Sequence, residues 1–272
     1  MQESTPAAQS LPGHGWTVKK VRQWVEQTFG CRPSRSTLRC LLRAACLRWK
    51  KCKKVLRKAN ATRRAAYLAQ FRHLFERMCQ GEVLVVYVDE SHFHQDLDMG
   101  YTWAMAGRAV WRESVSPPLS ARINWYGAYD FTRGQAFLWH EGKCNSEHTE
   151  QFLLRLHDWQ SEAGHTPDRH TVIVWDGAPW HRSMRVRTLA QQLGIELIQL
   201  PVYSPDLNPI EGLWKWMRTE VTQHLCHASL PALFLDCTAF IERINQNPQA
   251  MIQRLWPRFE LDPDYEKLLL SK

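Results

Sequence analysis

Apolar residues near the start of the chain recur at helical spacing. Val18, Val21, Trp24 and Val25 share one face of a helix that Thr17 caps and that runs to about Phe29, where Gly30 ends it. After the short turn CRPS, Ser34 or Ser36 opens a second helix with Leu38, Leu41, Leu42, Ala45 and Leu47 on its apolar side. A third pattern of helical period, ATRRAAYLAQFRHLFERM over 61–78, leads into the rest of the chain. From there the pattern changes. A continuous apolar run predicts a strand over about 83–89, and 96–120 is irregular and rich in Gly, Pro and Trp. INWYGAYD (123–130) and QAFLWHE (135–141) form a hairpin across FTRG. A helix over about 147–163, opened by Ser146, turns Phe152, Leu153, Leu156 and Trp159 inward. TVIVWD (171–176) is a fully buried strand by its apolar continuity. Helix 183–193, strand 195–200, a helix from Asn208, and closing helices over 230–246 and 249–256 complete the chain. A hairpin followed by alternating helices and parallel strands predicts an α/β mixed sheet with helices on its faces.

Three carboxylates stand where apolar runs end. VLVVYVDES ends on Asp89 and Glu90, and TVIVWDGAPWH ends on Asp176. LIQLPVYSPDLNPIEGLWKWMR (197–218) passes from a strand through Pro201, Pro205 and Pro209 into a helix with Glu211 in its first turn. Each proline lacks an N–H and fixes φ, so this corner is stiff. Asn208 is a good N-cap, with Pro209 at the first helical position. Acids at the carboxyl ends of separate elements can converge on a divalent metal.

Charge divides the chain in two. Residues 1–80 hold 18 Lys and Arg against 3 Glu, a net +15; the remainder, with 17 basic and 24 acidic residues, is net −7. That is the pattern of a nucleic-acid-binding segment joined to a metal-carboxylate body. Helix, Gly-containing turn, then a helix carrying Arg35, Arg39 and Arg43 is the helix-turn-helix pattern, although an ordinary basic helical hairpin has the same signature. The basic run 50–58, with Lys50, Lys51, Lys53 and Lys54, suits phosphate contact and equally a solvated linker. None of the eight cysteines forms a C-x-x-C pair, and no apolar run approaches the ~20 residues that span a bilayer. The first residues read as a short disordered lead without a secretory signal. The expectation is a cytoplasmic, nucleoid-associated protein without membrane contact.

VYVDESHFH, VIVWDGAPWH and LPVYSPDLNPIEGLWKWMR resemble the three catalytic blocks of the mariner-like DDE transposases, in the branch carried by bacterial insertion sequences. The 34 residues between Asp176 and Glu211 match that branch's spacing. The resemblance covers roughly residues 80–250. It implies a ribonuclease-H-like catalytic domain behind the helix-turn-helix, and it names Asp89, Asp176 and Glu211 as catalytic and metal-binding. The cofactor would be Mg²⁺ or Mn²⁺, two ions per site, with Asp89 bridging both. The resemblance further implies double-stranded DNA as the substrate, at element ends and at a TA target, with cut-and-paste movement, and a homodimer is expected during catalysis. The domains expected are a lead over 1–15, a helix-turn-helix segment with basic linker over 16–58, a connecting helix over 59–80, a catalytic domain over 81–258 and a tail over 259–272. Family members commonly carry more helical sequence ahead of such a helix-turn-helix, which raises the alternatives of a truncated copy or one product of a split reading frame. A non-catalytic DNA-binding regulator and a structure-selective nuclease on the same fold are the remaining rivals.

Each acid also has a plainer explanation. Glu90 competes with Asp89 at the strand end. Asp176-Gly177 is a common turn pair. Asn208-x-x-Glu211 is close to a capping box. Asp206 fits a turn, and Asp96, Asp98 and Asp130 are expected in loops facing solvent. His92, His94 and His181 flank the acids, and Glu90, His92, His181 and Asn208 are expected at most to support them. Most of the 13 tryptophans are expected in the core, with stacking on unpaired bases an alternative for Trp103, Trp111 and Trp180.

Overall fold

The computed structural model describes residues 4–49, 61–162, 169–202 and 204–255. The basic run with Lys50, Lys51, Lys53 and Lys54, and the tail over 259–272, lie outside the described residues. The chain divides into two compact units, 1–54 and 55–272.

In the first unit, α1 (Val18–Phe29) begins where the Thr17 hydroxyl accepts the Lys20 N–H, and ends at Gly30 with φ +66°. That left-handed conformation suits glycine, which has no Cβ to clash. Helix α2 (Arg35–Ala44) begins where Ser34 accepts the Thr37 N–H. Leu11, Val21 and Leu38 are buried. Leu41 and Ala45, expected on the inner face of α2, are instead exposed. Arg35, Arg39 and Arg43 follow one another at four-residue spacing on an exposed stripe of α2.

The second unit is a ribonuclease-H-like sheet covered on both faces. Its strands are β1 (Val83–His94), β2 (Arg122–Asp130), β3 (Gln135–His140), β4 (His170–Trp175) and β5 (Ile195–Gln199). Their spatial order is β3-β2-β1-β4-β5. The hairpin pairs are antiparallel, and β1-β4 and β4-β5 are parallel. Alternation along β1 sends Val83, Val85 and Tyr87 to one face and Val86 and Val88 to the other. The first face packs on α3 (Ala61–Cys79), α6 (Ile210–Met217), α7 (Leu230–Asn245) and α8 (Pro248–Leu255), through Phe71, Leu213, Leu233 and Met251 among others. The second packs on α4 (Ser146–Glu162) and α5 (Met184–Gln192), through Phe152, Leu156 and Val186. Tyr67, Phe71 and Leu74 make α3 part of the body's core. Among the described residues no helix is long and apolar enough to cross a membrane.

Asp130 corrects a sequence expectation. It is fully buried at the end of β2, where its carboxylate accepts the Arg133 backbone N–H at 2.9 Å and the Arg133 guanidinium at 2.7 Å. Burial raises its pKa and Arg133 opposes the rise. The acid holds the hairpin turn instead of facing water. Asp130→Ala breaks this buried pair and is expected to lower stability by about 3 kcal/mol in urea denaturation.

Candidate active site

The parallel register brings two of the predicted acids level. Tyr87 pairs with Val174, so Asp89 and Asp176 each lie two residues beyond one register pair. With a side-chain period of two, Asp89 follows Tyr87 toward the α6 face, while Asp176, just past the end of β4, is exposed and turns its carboxylate to His181. Glu211 stands in the first turn of α6 on that face. Glu90, one residue on, leaves by the opposite face. Its Oε1 accepts the Trp180 indole N–H at 3.0 Å and lies 2.9 Å from His181 Nε2. The backbone therefore separates two neighbours that the apolar run before them leaves equivalent.

Asp89 Oδ2 accepts the Trp214 indole N–H at 2.9 Å. Burial, then the negative charges of Glu211 and Glu90, push the Asp89 pKa up to about 8; Trp214 opposes the shift and Asp176 adds to it. Glu211 is also raised, by burial of part of its side chain and by Asp176, against the pull of Arg218. Asp176 is held below the ordinary carboxylate range, chiefly by its hydrogen bond to His181 and also by the Ala178 N–H.

His181 matters more than its sequence context suggested. Successive turns over 178–183 fold the chain back and bury the ring, which stacks on Trp175 at 4.2 Å and 5°. Nδ1 lies 3.0 Å from Asp176 Oδ1 and Nε2 reaches Glu90. Burial disfavours its charge, but the hydrogen bonds and charges of Asp176 and Glu90 outweigh that and raise its pKa to about 9. His181 is thus an imidazolium at neutral pH, clamped between two carboxylates. The D-x-x-x-x-H spacing was the available signal, and it acquires meaning only through the turns that close it.

The other flanking residues do less. His92 is exposed and offers its backbone carbonyl to Arg218 at 2.7 Å. Asn208 is buried but is not the side-chain cap expected. The helix begins after Pro209, whose side chain makes no cap. The Asn208 N–H donates to Pro205, and its carbonyl accepts the Glu211 N–H at 3.1 Å. With that N–H already engaged, the reciprocal capping-box bond has no donor, and the plainer explanation of Glu211 falls away. Asp206 sits in the 3₁₀ turn Pro205–Leu207 and pairs with Arg64. Asp98 is only partly exposed and accepts the Thr222 hydroxyl at 2.5 Å. Asp96, also partly exposed, accepts the Ser114 hydroxyl at 2.5 Å. Trp103 and Trp111 are exposed in a segment without regular secondary structure, against the expectation of core positions.

A cleft of about 370 Å³ opens beside Glu211, with Ser91, Asp98, Lys215, Arg218 and Gln223 among its walls. Lys215 and Arg218 lie four and seven residues beyond Glu211, on the same side of the helix. Arg218 opens a π-helical turn, Arg218–Thr222, and its guanidinium covers Phe93 at 4.4 Å and binds Ser91 Oγ at 3.0 Å.

Among the described residues no three His, Cys, Asp or Glu side chains are drawn together tightly enough to cage an ion as they stand. The donor chemistry nevertheless fits a hard divalent cation. It consists of carboxylate oxygens from three elements, and burial, with their mutual repulsion added, raises Asp89 and Glu211.

Comparison with known proteins decides the family. Residues 84–233 match the sequence model of the DDE superfamily endonucleases, and residues 12–71 that of a winged helix-turn helix. The chain belongs to the DDE superfamily endonuclease family. An insertion element IS630 39 kDa protein of Shigella sonnei is 23% identical to this DDE-family chain over 86% of the chain and 66% of that relative. The chain thus spans just under two thirds of that relative's length. The Tc1 transposase of Caenorhabditis elegans is 45% identical over 47 residues, 17% of each protein. The Mos1 mariner paired-end complex with Mg superposes with a TM-score of 0.65 at 16% identity, covering 96% of this chain and 81% of that one. These relatives bear out the resemblance to mariner-like and insertion-sequence DDE proteins, and the structural match bears out the ribonuclease-H-like fold.

Proposed function

We propose that the chain is a DNA transposase that cuts the ends of an insertion element and joins them to a TA target, with Asp89, Asp176 and Glu211 as its catalytic carboxylates. The observation that carries this reading is the level placement of Asp89 and Asp176 at the ends of β1 and β4, with burial and then the nearby charge of Glu211 pushing the Asp89 pKa up to about 8. The three carboxylates would hold Mg²⁺ or Mn²⁺, two ions per site; Mos1 paired-end complexes are known with Mn and with Mg. When bound, such ions stabilise the attacking and leaving oxygens of an in-line displacement at phosphorus.

The chain's own residues do the rest. His181 keeps Asp176 ionised and fixes its orientation. Lys215 and Arg218 line the cleft beside Glu211 and would take phosphates of the strand being cut. The exposed Trp103 and Trp111 are available to stack on unpaired bases. In cleavage a water oxygen bonds to phosphorus and the P–O3′ bond breaks, leaving a 5′-phosphate and a 3′-hydroxyl. In joining, that hydroxyl bonds to a target phosphorus and displaces the target's 3′ oxygen. Arg35, Arg39 and Arg43 of α2, with Lys50, Lys51, Lys53 and Lys54, would bind the element end. Two chains would act on two paired ends, in keeping with the paired-end complexes of Mos1.

The test is nicking of a labelled duplex carrying the flanking terminal repeat, with Mg²⁺, with Mn²⁺ and with chelator. Metal-dependent cuts at the repeat boundary are expected. Asp176→Asn is expected to abolish them and leave DNA binding nearly intact. Equal loss of binding and cutting would remove Asp176 from the site, and tight binding without cutting under any metal would favour a regulator.

A further inference from the structure

Trp214 is a core residue of α6 whose indole N–H donates to a carboxylate. Its indole lies against β2 at Gly127, the residue that faces Asp89 across the β1-β2 ladder. A Cβ at Gly127 would stand 2.4 Å from Trp214 Cη2 and 2.5 Å from Cζ2, closer than non-bonded carbons approach. Gly127 is not in a left-handed conformation, so the backbone does not call for glycine there. The space does. The gap lets the ring edge approach the β2 backbone, and Nε1 stands 2.9 Å from Asp89 Oδ2. Phe93, four residues beyond Asp89 on β1, packs edge-on against the ring with centroids 6.1 Å apart, and Trp214 is 3% exposed.

Trp214 also stands three residues after Glu211 on α6, so the two share a helix face. One contact, indole on glycine, therefore fixes two things together: the orientation of the Asp89 carboxylate and the height of α6, which carries Glu211. With Oδ2 already accepting the indole N–H, Oδ1 is the freer oxygen toward a cation.

We propose that Trp214, seated on Gly127, is a positioning residue that orients Asp89 and sets Glu211 against it for divalent-cation binding. The proposal rests on the carboxylate assignment above and extends it to two residues outside that set. Groups that orient a ligating carboxylate typically change metal affinity or activity 10–100-fold on mutation.

The experiment is a double-mutant cycle on the full chain with Trp214→Phe, Gly127→Ala and the double variant. Mn²⁺ affinity is read by calorimetry, the Mg²⁺ concentration for half-maximal nicking on the repeat duplex, and the fold by circular dichroism and melting temperature. Trp214→Phe keeps a ring and removes the donor; it is expected to weaken Mn²⁺ binding by about 10-fold or more and to shift the Mg²⁺ requirement alike. Gly127→Ala keeps the donor and displaces it, with a similar loss expected. The double variant is expected to be no worse than Trp214→Phe, because the smaller ring leaves room for the added methyl. Trp216→Phe is the control, since that indole donates to Glu220 and packs on Phe240; its Mn²⁺ affinity is expected to be unchanged.

Lower melting temperatures with wild-type Mn²⁺ affinity and Mg²⁺ requirement would overturn the proposal and reduce Trp214 to a core residue. Strictly additive losses would overturn it as well. A wild-type chain that neither binds Mn²⁺ nor nicks would instead overturn the carboxylate assignment itself, and this proposal with it.

Discussion

Asp89→Asn is expected to inactivate the protein and, without metal, to make it more stable. The wild-type carboxyl is buried among Glu211, Glu90 and Asp176, with its pKa pushed up to about 8. An acid whose folded pKa exceeds its unfolded value opposes folding once it ionises. The penalty begins above the unfolded pKa and grows until pH passes the folded one, so the window runs from about 4 to about 8. At pH 7 it is on the order of 2–4 kcal/mol. Asparagine has the same shape, still accepts the Trp214 N–H and carries no charge. In chelator near pH 7 the variant should therefore melt several degrees above wild type, with the two curves converging near pH 4. Nicking should fall by about 10³-fold or more. Mg²⁺ should raise the wild-type melting temperature and barely move the variant's. A metal-free Asp89→Asn protein no more stable than wild type at pH 7 would mean that burial and the neighbouring acids do not hold the Asp89 pKa up.

His181→Gln is expected to act in the opposite direction. The imidazolium separates Asp176 from Glu90, and its pKa is raised to about 9. For a base raised above its unfolded value of about 6.5, the stabilisation is complete below pH 6.5 and is lost as pH rises through about 9. Glutamine fills similar space without the charge and leaves two carboxylates facing one group that cannot neutralise either. Urea denaturation in chelator should show the variant on the order of 3 kcal/mol less stable at pH 6, with the gap shrinking toward pH 10. A gap of the same size at both values would mean that the ring acts by packing on Trp175 rather than by charge. Cleavage should fall as well, because Asp176 loses its orienting partner.

The fold was legible in the sequence wherever one periodicity ruled. Thr17, Gly30 and Ser34 mark helix ends by local chemistry, and the structure uses all three. The hairpin and the two parallel strands follow from continuous apolar runs and Gly turns. The three strand-end or corner acids stood out in the sequence, and the register sets Asp89 and Asp176 each two residues beyond one pair. What the sequence left open has physical causes. Val83 to Val88 are all buried, so β1 shows no alternation from which to choose between Asp89 and Glu90; the facing helices make that choice. Asp130 looked like a loop acid because its partner is a backbone N–H three residues on, inside the turn. Asn208 looked like a cap, but the 3₁₀ turn ahead of it, Pro205–Leu207, carries the chain in at a different angle. Trp103 and Trp111 were expected in the core by composition alone, and nothing local to them could say that they are exposed.

The parallel register between β1 and β4 has a consequence for which length changes the protein can bear. Side chains along β1 belong to one of two phases, and helices cover both. Losing one residue between 84 and 88 would bring Glu90 into the place of Asp89 and drive the Asp89 charge into the place of Val88, which is 1% exposed. Losing two would restore the phase but draw Asp89 one step of the pleat away from Asp176. The segment between Gln95 and Ala121 carries no such phase, because the Gln95 N–H meets the Ala121 carbonyl and closes the excursion at its base. Insertions near Gly107, where nothing stands within 4 Å of an added Cβ, should leave the acids in step, whereas a single-codon deletion in β1 should silence them.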